Sequence, residues 1–373
     1  MAGKLRRVLK GCATVLVVVV VLAAIALAIA YYRSDNDCAQ QLATTPENPM
    51  KAIVRCEYGS PAVLRLQTIE KPVPAAGELL VKVHSASVNP LDLHYMRGEP
   101  LVMRLDGALR KPKITRLGVD FSGTVEAVGP NVTQFKPGDA VFGGRFGSFA
   151  EYVTVSAANV ARKPDNITFD EAAAVQVAAI TALQALRDKA RVQPGQRVLI
   201  NGASGGVGTF AVQIAKTLGA HVTGVSSTRN LDLVRSLGAD EVIDYTKQDY
   251  TKGTEKYDAV IDMVGNHPVT AHKRVLAPNG AYVMVGGPKG RWVAPMDRVV
   301  TMMVISPFTR QRFGMMLAQM KKSDLDMLSG LLQEGNIKPV IDRRYPLSDA
   351  PKAVEYLETG RARGKVVIQV AGK

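Results

Sequence analysis

A glycine-rich turn is the part of the sequence with the clearest chemical meaning. Residues 201–208 read Asn-Gly-Ala-Ser-Gly-Gly-Val-Gly, directly after the apolar run 197–200 and at the start of a helical pattern. Glycines at such a turn let the backbone approach a pyrophosphate, whose negative charge is stabilised by the N-terminus of the helix. The strand, turn and helix together predict a dinucleotide-binding site, and the alternative is a tight turn without a ligand.

The end of the next predicted strand indicates which dinucleotide would bind. An enzyme that uses NAD usually has Asp or Glu there to hold the ribose 2′-hydroxyl. Residues 224–229 instead read Gly-Val-Ser-Ser-Thr-Arg, with no carboxylate. This pattern favours NADPH, because Arg229 can accommodate a 2′-phosphate. The alternative is that Arg229 is a solvated residue at the start of a helix.

The hydrophobic pattern places the turn in a parallel sheet of an α/β protein. After about residue 171, apolar strands alternate with helical patterns, which is typical of βαβ units. The predicted strands are 197–200, 221–226, 241–245, 257–264 and 281–285, and the predicted helices are 208–218 and 231–237. From residue 50 to about 161, short β-branched runs separated by Gly and Pro predict an antiparallel, barrel-like domain.

The composition excludes several other classes of protein. A chain of 373 residues suits two domains. Lys and Arg number 47 against 33 Asp and Glu, but aromatic residues make up only 6% and no basic run is interleaved with them, so no nucleic-acid partner is expected. The three cysteines are too few for a disulfide scaffold, and their spacing does not suit a structural zinc site.

The first 33 residues form a separate segment. No charged residue occurs between Gly11 and Tyr32, and a helix of that length spans about 33 Å, enough to cross a bilayer. The segment predicts a single-pass transmembrane anchor over residues 1–33, and the membrane face of the catalytic domain is left open. The alternative is a cleaved signal peptide, because Ala28-Ile29-Ala30 has the form of a cleavage site. Residues 34–49 are polar and without periodicity, which predicts a linker.

Motifs spread over residues 50–373 resemble one enzyme family. The sequence is similar to the zinc-independent medium-chain dehydrogenases/reductases of the quinone oxidoreductase branch. The matching stretches, in the family's order, are 87–92 (Ser-Val-Asn-Pro-Leu-Asp), 118–123 (Gly-Val-Asp-Phe-Ser-Gly), 135–139, 147–152, the glycine turn, 237–245 and 364–368.

The resemblance implies a GroES-like β-barrel domain and a Rossmann doubly wound parallel sheet. The domains would be a GroES-like catalytic part at 50–175, a Rossmann NADP-binding domain at 176–324 and a return to the catalytic domain at 325–373.

The resemblance also implies which residues hold the cofactor, in the cleft between the two domains. The expected phosphate contacts are Ser204, Gly205, Gly206 and Val207; the 2′-phosphate end would lie among Ser227, Arg229 and Tyr245; and the nicotinamide and bridging parts would lie along Thr181, Val285, Arg361, Ala362 and Arg363.

A metal is not expected, so hydrogen-bond donors must polarise the substrate. The zinc-ligand places of the wider superfamily fall on Asn89 and on Val119–Asp120 in this chain, and Asn and Val are poor zinc ligands. Asn89, Asp92 and Tyr95 cluster where the family lines its pocket and are the candidate catalytic residues. Tyr95 could donate a hydrogen bond to a developing enolate or hydroquinone oxygen. The alternatives are a plain turn at Asn89 and a packing role for Tyr95.

These inferences together predict a membrane-anchored, NADPH-dependent reductase of a quinone or an α,β-unsaturated carbonyl. Two alternatives stay open: an alcohol or aldehyde dehydrogenase of the same fold, and a non-catalytic, NADPH-binding membrane scaffold. The resemblance also suggests a homodimer through the edge of the Rossmann sheet, with 299–305 as the edge strand. Alternatively, residues 298–322 could rest on a membrane.

Overall fold

A computed structural model describes residues 2–33, 35–104, 108–287 and 296–371 of the chain. The strands are β1 (Pro49–Val54), β2 (Arg65–Glu70), β3 (Glu78–Val88), β4 (Asp120–Val128), β5 (Ala140–Gly144), β6 (Tyr152–Ser156), β7 (Val160–Arg162), β8 (Arg197–Asn201), β9 (His221–Ser226), β10 (Glu241–Asp244), β11 (Tyr257–Asp262), β12 (Leu276–Met284), β13 (Arg312–Met315), β14 (Ile341–Pro346) and β15 (Lys365–Gln369). The α-helices are α1 (Ala2–Arg33), α2 (Cys38–Ala43), α3 (Pro90–Arg97), α4 (Phe169–Ala173), α5 (Gln176–Gln184), α6 (Gly206–Thr217), α7 (Leu231–Ser236), α8 (Val269–Val275), α9 (Met296–Ile305), α10 (Lys322–Gln333) and α11 (Ala350–Glu358).

The strands from β8 to β13 form a six-stranded parallel sheet in the order β10-β9-β8-β11-β12-β13. This is the doubly wound order. The chain begins at β8 in the middle, adds β9 and β10 on one side, and then adds β11, β12 and β13 on the other side, so the strand order reverses between β8 and β11. Val198, Leu199 and Ile200 of β8 are all fully buried, as expected for a strand with helices on both faces. The predicted α/β class with a Rossmann sheet is confirmed, and its ligand crevice lies beyond the carboxyl ends of β8 and β11.

The second large sheet is mostly antiparallel and combines strands that precede the Rossmann sheet in the chain with strands that follow it. Its order is β14-β15-β3-β4-β5-β7, with β6 also paired to β3. The last strand, β15, runs antiparallel to β3, so residues 366–369 lie beside residues 85–88. The chain therefore leaves this sheet, builds the Rossmann sheet and returns.

The segment 299–305 was predicted as an edge strand, and this prediction is wrong. It lies in helix α9, where Met302 is buried while Val300, Met303 and Val304 are exposed. Burial that recurs every three to four residues suits one face of a helix, whereas a strand alternates every second residue. The edge of the Rossmann sheet is β13, which pairs with β12.

The membrane anchor predicted for residues 1–33 is contradicted. These residues include helix α1, whose described aliphatic side chains from Val15 to Ile29 are exposed. A bilayer span needs a long, continuous apolar helix, and no helix meets that requirement within the described residues.

The segment predicted as a linker contains helix α2 and a disulfide. Cys38, at the start of α2, is bonded to Cys56, just beyond β1. The Asn36 side-chain amide donates to the carbonyl oxygens of Cys56, at 3.2 Å, and Pro112, at 2.8 Å. These contacts fasten the segment to the catalytic domain.

Candidate active site

The glycine turn between β8 and α6 is shaped by two of its glycines. Gly202 has a φ of +86°, which favours glycine. At Gly208, a Cβ would lie 2.1 Å from the carbonyl oxygen of Gly202, so the helix could not pack this closely on the turn with any side chain there. These two glycines are explained by the fold alone.

Neither the backbone conformation nor the packing of the fold requires glycine at position 205. It precedes α6 with φ −83° and ψ 177°, an extended conformation open to any residue. A Cβ on Gly205 would meet only the Gly202 carbonyl oxygen, at an ordinary 3.4 Å. The missing side chain therefore leaves an open cradle directly before the N-terminus of α6, a helix of 12 residues. Its first backbone N–H groups have no partners within the helix, so they suit an anion.

A small network of polar side chains supports this turn from the side of β9. The Ser204 hydroxyl, which is largely buried, accepts hydrogen bonds from the Ser226 hydroxyl at 3.2 Å and from the Asn230 amide at 3.1 Å. The same Asn230 amide donates to the Ser227 hydroxyl at 3.2 Å. Asn230 thus brings Ser204 and Ser227 together, and it was not among the candidates named from the sequence. Its signal was weak, because Asn before a helix is also an ordinary cap.

Basic residues from two distant segments meet at the outer end of this network. The Arg229 guanidinium donates to the carbonyl oxygen of Arg361 at 2.9 Å. The backbone N–H of Arg363 donates to the Asp342 carboxylate at 3.0 Å, which holds the 361–363 segment in place. The Tyr245 side chain is exposed, and its backbone N–H donates to Ser226 at 3.1 Å. Residues predicted for the 2′-phosphate end are therefore neighbours, and Arg361 joins them.

The inner end of the crevice is held by a buried carboxylate. One oxygen of Asp262, at the end of β11, accepts from the Asn201 amide at 2.8 Å and from the backbone of Val264 and Gly265. The Val285 backbone N–H donates to the carbonyl oxygen of Asp262 at 2.8 Å. The ends of β8, β11 and β12 are therefore fixed relative to one another. Asp262 therefore holds the backbone of Val285 in place, and Asn201 holds the Asp262 carboxylate.

Thr181 lies on a different wall. It is in α5 and its hydroxyl donates to the carbonyl oxygen of Val177, one turn earlier, at 2.6 Å. The backbone N–H of Val177 in turn donates to the Asp120 carboxylate at 3.0 Å. Helix α5 is thereby linked to Asp120, which belongs to a polar cluster in the other large sheet.

That polar cluster is built around Asn89 and Asp120. Asn89 uses both amide hydrogens inside the protein, on the Asp120 carboxylate at 3.1 Å and on the Ser87 carbonyl oxygen at 3.3 Å. Its carbonyl oxygen accepts from the Lys365 ammonium at 2.6 Å, and the same ammonium lies 3.3 Å from Asp120. The Ser87 hydroxyl donates to Asp120 at 3.2 Å. Asn89, Asp120 and Lys365 are all at most 3% exposed.

Asp92 caps the helix that carries the predicted catalytic residues. Its two carboxylate oxygens accept from the backbone N–H groups of Asn89, at 2.8 Å, and Gly118, at 2.9 Å. Burial raises the pKa of Asp92 to about 7, and the nearby Asp120 charge acts in the same direction. Asp92 therefore fixes the start of α3 against the loop before β4.

Tyr95 is one turn further along α3. Its ring is half-buried and makes an edge-to-face contact with Phe146, with ring centroids 4.7 Å apart. The structure therefore brings Asn89 and Asp92 into direct contact and places Tyr95 on the same helix. Lys365 is a member of the cluster that sequence reasoning did not identify.

Comparison with known proteins agrees with this architecture. The family model "Alcohol dehydrogenase GroES-like domain" matches residues 75–165, and "Zinc-binding dehydrogenase" matches residues 237–368. The mitochondrial NAD(P)H oxidoreductase RTN4IP1 of Mus musculus is 36% identical over 86% of this chain and 89% of its own length. The 2-methylene-furan-3-one reductase of Solanum lycopersicum is 35% identical over 90% of this chain and 83% of its own. The solved quinone oxidoreductase of Coxiella burnetii aligns with a TM-score of 0.75 and 32% identity over 87% of this chain and all of its own.

The chain belongs to the medium-chain dehydrogenase/reductase family. It is therefore an oxidoreductase that uses a nicotinamide cofactor. The residues present fit that cofactor, since the cradle at Gly205 leaves room for a phosphate group at a helix N-terminus and basic side chains gather at the outer end.

Zinc, which one of the two family models carries in its name, does not fit the residues at the superfamily's metal position. Asn89 and Asp120 there are bonded to the Lys365 ammonium, whose positive charge would repel a metal cation. Val119 offers no ligand atom in its side chain. Across the described residues, no group of three His, Cys, Asp or Glu side chains could hold a metal ion.

Proposed function

We propose that this medium-chain dehydrogenase/reductase is an NADPH-dependent, zinc-independent reductase of quinones or α,β-unsaturated carbonyls. The observation that carries the proposal is the contact between the Gly364 backbone N–H and the Ser204 carbonyl oxygen, at 2.9 Å. This contact holds Gly364, the residue before β15, on the nucleotide turn. Lys365, the first residue of β15, reaches the polar cluster of Asn89 and Asp120. The cofactor turn and the substrate-side cluster are therefore adjacent. The names of the relatives, a quinone oxidoreductase and a furanone reductase among them, support the substrate class.

The preference for NADPH rests on the end of β9. Ser226 and Ser227 stand where a carboxylate would repel a 2′-phosphate, and Arg229 lies beside them. Asp244, at the end of the neighbouring strand β10, accepts from the hydroxyls of Thr228, at 2.5 Å, and Thr246, at 2.7 Å, so both of its carboxylate oxygens already have donors within the protein.

Twelve residues would hold the cofactor. Ser204, Gly205, Gly206 and Val207 would contact its phosphates; Ser227, Arg229 and Tyr245 its 2′-phosphate end; and Thr181, Val285, Arg361, Ala362 and Arg363 the remaining length. When bound, the reduced nicotinamide supplies the hydride.

The chain's own residues would orient the substrate and move protons. Tyr95, or solvent, would donate the proton that completes the reduction of the acceptor. Asn89 and Asp92 complete the proposed catalytic set. Because their polar atoms are bonded within the protein, they would act by fixing the pocket wall and the start of α3.

Nucleotide titration followed by an acceptor screen tests this function. The full-length protein is titrated with NADPH and NADH while nucleotide fluorescence is recorded, and NADPH oxidation is then followed with quinones, enones and aldehydes. Tighter binding of NADPH and turnover of a quinone or enone support the proposal. Activity confined to aldehydes or alcohols would favour the alcohol dehydrogenase alternative, and binding without turnover would favour a scaffold.

A homodimer is a second part of the proposal. Strand β13 is at the edge of the Rossmann sheet. Among the described residues beside it, the apolar side chains of Val300, Met303, Val304 and Phe308 are exposed. Pairing of two β13 edges would cover this surface in each copy. Light scattering coupled to gel filtration measures the mass, and a monomer at micromolar concentration would contradict the dimer.

A further inference from the structure

Lys365 is a buried lysine at the junction between the two sheets. Lys365 is 3% exposed, and it is the one buried lysine among the described residues. A buried ammonium is stable only when it is paired and hydrogen-bonded. Asn89 and Asp120 provide this pairing, with nitrogen–oxygen distances of 2.6 Å and 3.3 Å.

The ammonium is not saturated by these partners. A lysine ammonium has three N–H bonds, and in the described part of the chain two of them have acceptors. The third is available to an acceptor atom supplied by a ligand. The positive charge is held in surroundings from which water is largely excluded, where it acts on a neighbouring negative charge more strongly than it would in solvent.

Lys365 reaches from the nucleotide turn to the cluster of Asn89 and Asp120. The lysine stem runs along the nucleotide turn, because its Cδ lies 3.1 Å from where a Cβ on Gly206 would be. Its head lies at Asn89, which begins the helix that also carries Tyr95. If the cofactor's phosphates rest on the turn and the substrate reaches Tyr95, the ammonium lies between the two binding places.

We propose that Lys365 is a catalytic residue that stabilises the negative charge formed on the carbonyl oxygen of the acceptor. This role rests on the proposed function. During reduction, the acceptor gains a hydride at carbon, and the displaced electron pair moves onto its carbonyl oxygen. The third N–H of Lys365 donates a hydrogen bond to that oxygen. A proton from solvent or Tyr95 then neutralises it, and no bond of the lysine is made or broken.

Asn89 and Asp120 are positioning residues in this arrangement. Each holds one N–H of the ammonium, so the third can point in one direction only. Ser87 and Val177 fix Asp120 in turn. A preorganised donor of this kind does not have to reorient during the reaction, which is why such donors contribute strongly to catalysis.

Steady-state kinetics of Lys365→Met, Lys365→Arg and the control Lys352→Met test the role of Lys365. The control removes a lysine on α11 whose side chain is 69% exposed and lies 3.0 Å from the Asp349 carboxylate. The full-length proteins are compared for kcat and KM with a cyclic enone and a quinone, and for the Kd of NADPH by fluorescence. We expect Lys365→Met to lower kcat about 100- to 1,000-fold, the usual effect of losing one such donor. The Kd of NADPH should change less than threefold, Lys365→Arg should recover at least tenfold of the lost rate, and Lys352→Met should match wild type.

Other outcomes overturn this role. A kcat for Lys365→Met within threefold of wild type would do so, and so would a large rise in the Kd of NADPH that accounts for the lost activity. If Lys365→Met does not fold, the variant Lys365→Met/Asp120→Asn removes both buried charges together, and the same loss of kcat is expected. A wild-type protein that reduces no acceptor would refute the proposed function itself, whereas an active wild type with an equally active Lys365→Met refutes only the role of the lysine.

Discussion

Replacing Gly205 by alanine separates cofactor binding from folding at the glycine turn. The new methyl group would contact only the Gly202 carbonyl oxygen, at 3.4 Å, and the backbone conformation, φ −83°, is open to alanine. Gly208→Ala is the matched variant. There the methyl carbon would lie 2.1 Å from the same Gly202 oxygen and 2.8 Å from Ala203, and both obstacles are backbone atoms.

The two variants should differ in what they damage. A carbon–oxygen contact of 2.1 Å is more than an ångström too short, so Gly208→Ala must shift α6 or the turn, at a cost of about 1–3 kcal/mol in the free energy of unfolding. At Gly205, alanine is a poorer residue before a helix than glycine, but it also restricts the unfolded chain. These opposing effects should leave the stability of Gly205→Ala within about 1 kcal/mol of wild type. Its methyl group instead fills the cradle, so the Kd of NADPH should rise at least tenfold, about 1.4 kcal/mol of binding free energy.

Urea unfolding and NADPH fluorescence titration measure both quantities on the same samples. The expected pattern is a normal unfolding midpoint with weakened NADPH binding for Gly205→Ala, and a lowered midpoint for Gly208→Ala. Unchanged NADPH binding in a stably folded Gly205→Ala would show that no phosphate approaches this backbone. The account of the cradle would then be refuted.

Three further perturbations have definite expected outcomes. Arg229→Ala should raise the Kd of NADPH about 10- to 100-fold, as for the loss of a charge-assisted hydrogen bond, and leave the Kd of NADH unchanged; an equal loss for both nucleotides would contradict the 2′-phosphate contact. Because burial raises the pKa of Asp92 from 3.8 to about 7, the folded state retains a proton that the unfolded chain releases, so this contribution, about 4 kcal/mol, is fully present below pH 3.8 and is lost as the pH rises through 7. Urea unfolding between pH 5 and 8 should show this decline in wild type and less of it in Asp92→Asn. Reduction of the disulfide between Cys38 and Cys56, which are 18 residues apart, should lower the free energy of unfolding by about 3 kcal/mol, measured by urea unfolding with and without dithiothreitol; no change in the midpoint would mean that the loop is already constrained by its other contacts.

The nucleotide side of the molecule could be predicted from the sequence because its signals are local. The strand at 221–226 has the predicted bounds, and the strand at 197–200 extends by one residue to Asn201. A buried parallel strand is a continuous apolar run, and the turn after it needs glycines at fixed positions, so both are visible in a short window. Helix α9 was not predicted because a short apolar run rich in valine is compatible with a strand as well as a helix. The two are distinguished by which of its side chains the rest of the protein buries, and the sequence of the run does not contain that information.

The substrate side could be predicted only in part. Asn89 and Asp92 could be named as candidates because they are close in the sequence and in a motif, but the hydrogen bonds of the Asn89 side chain depend on Asp120 and Lys365, which come from other strands. Lys365 is 276 residues from Asn89, and no periodicity links positions so far apart. The disulfide was missed for the same reason, since three cysteines give no pairing without a fold.

The position of Lys365 follows from the topology of the chain. A domain that is interrupted by another must be completed by its last strand, and in this protein that strand is β15, beside β3. To enter the sheet, the chain passes the crevice of the Rossmann sheet, where Gly364 has a φ of +96° and bonds to the nucleotide turn. A Cβ on Gly364 would lie 2.3 Å from the Val340 carbonyl oxygen, so the close approach requires glycine. The residue after such a glycine is placed between the nucleotide turn and the cluster of Asn89 and Asp120. A lysine there brings a fixed positive charge to the place where, in the proposed reduction, the acceptor becomes negative.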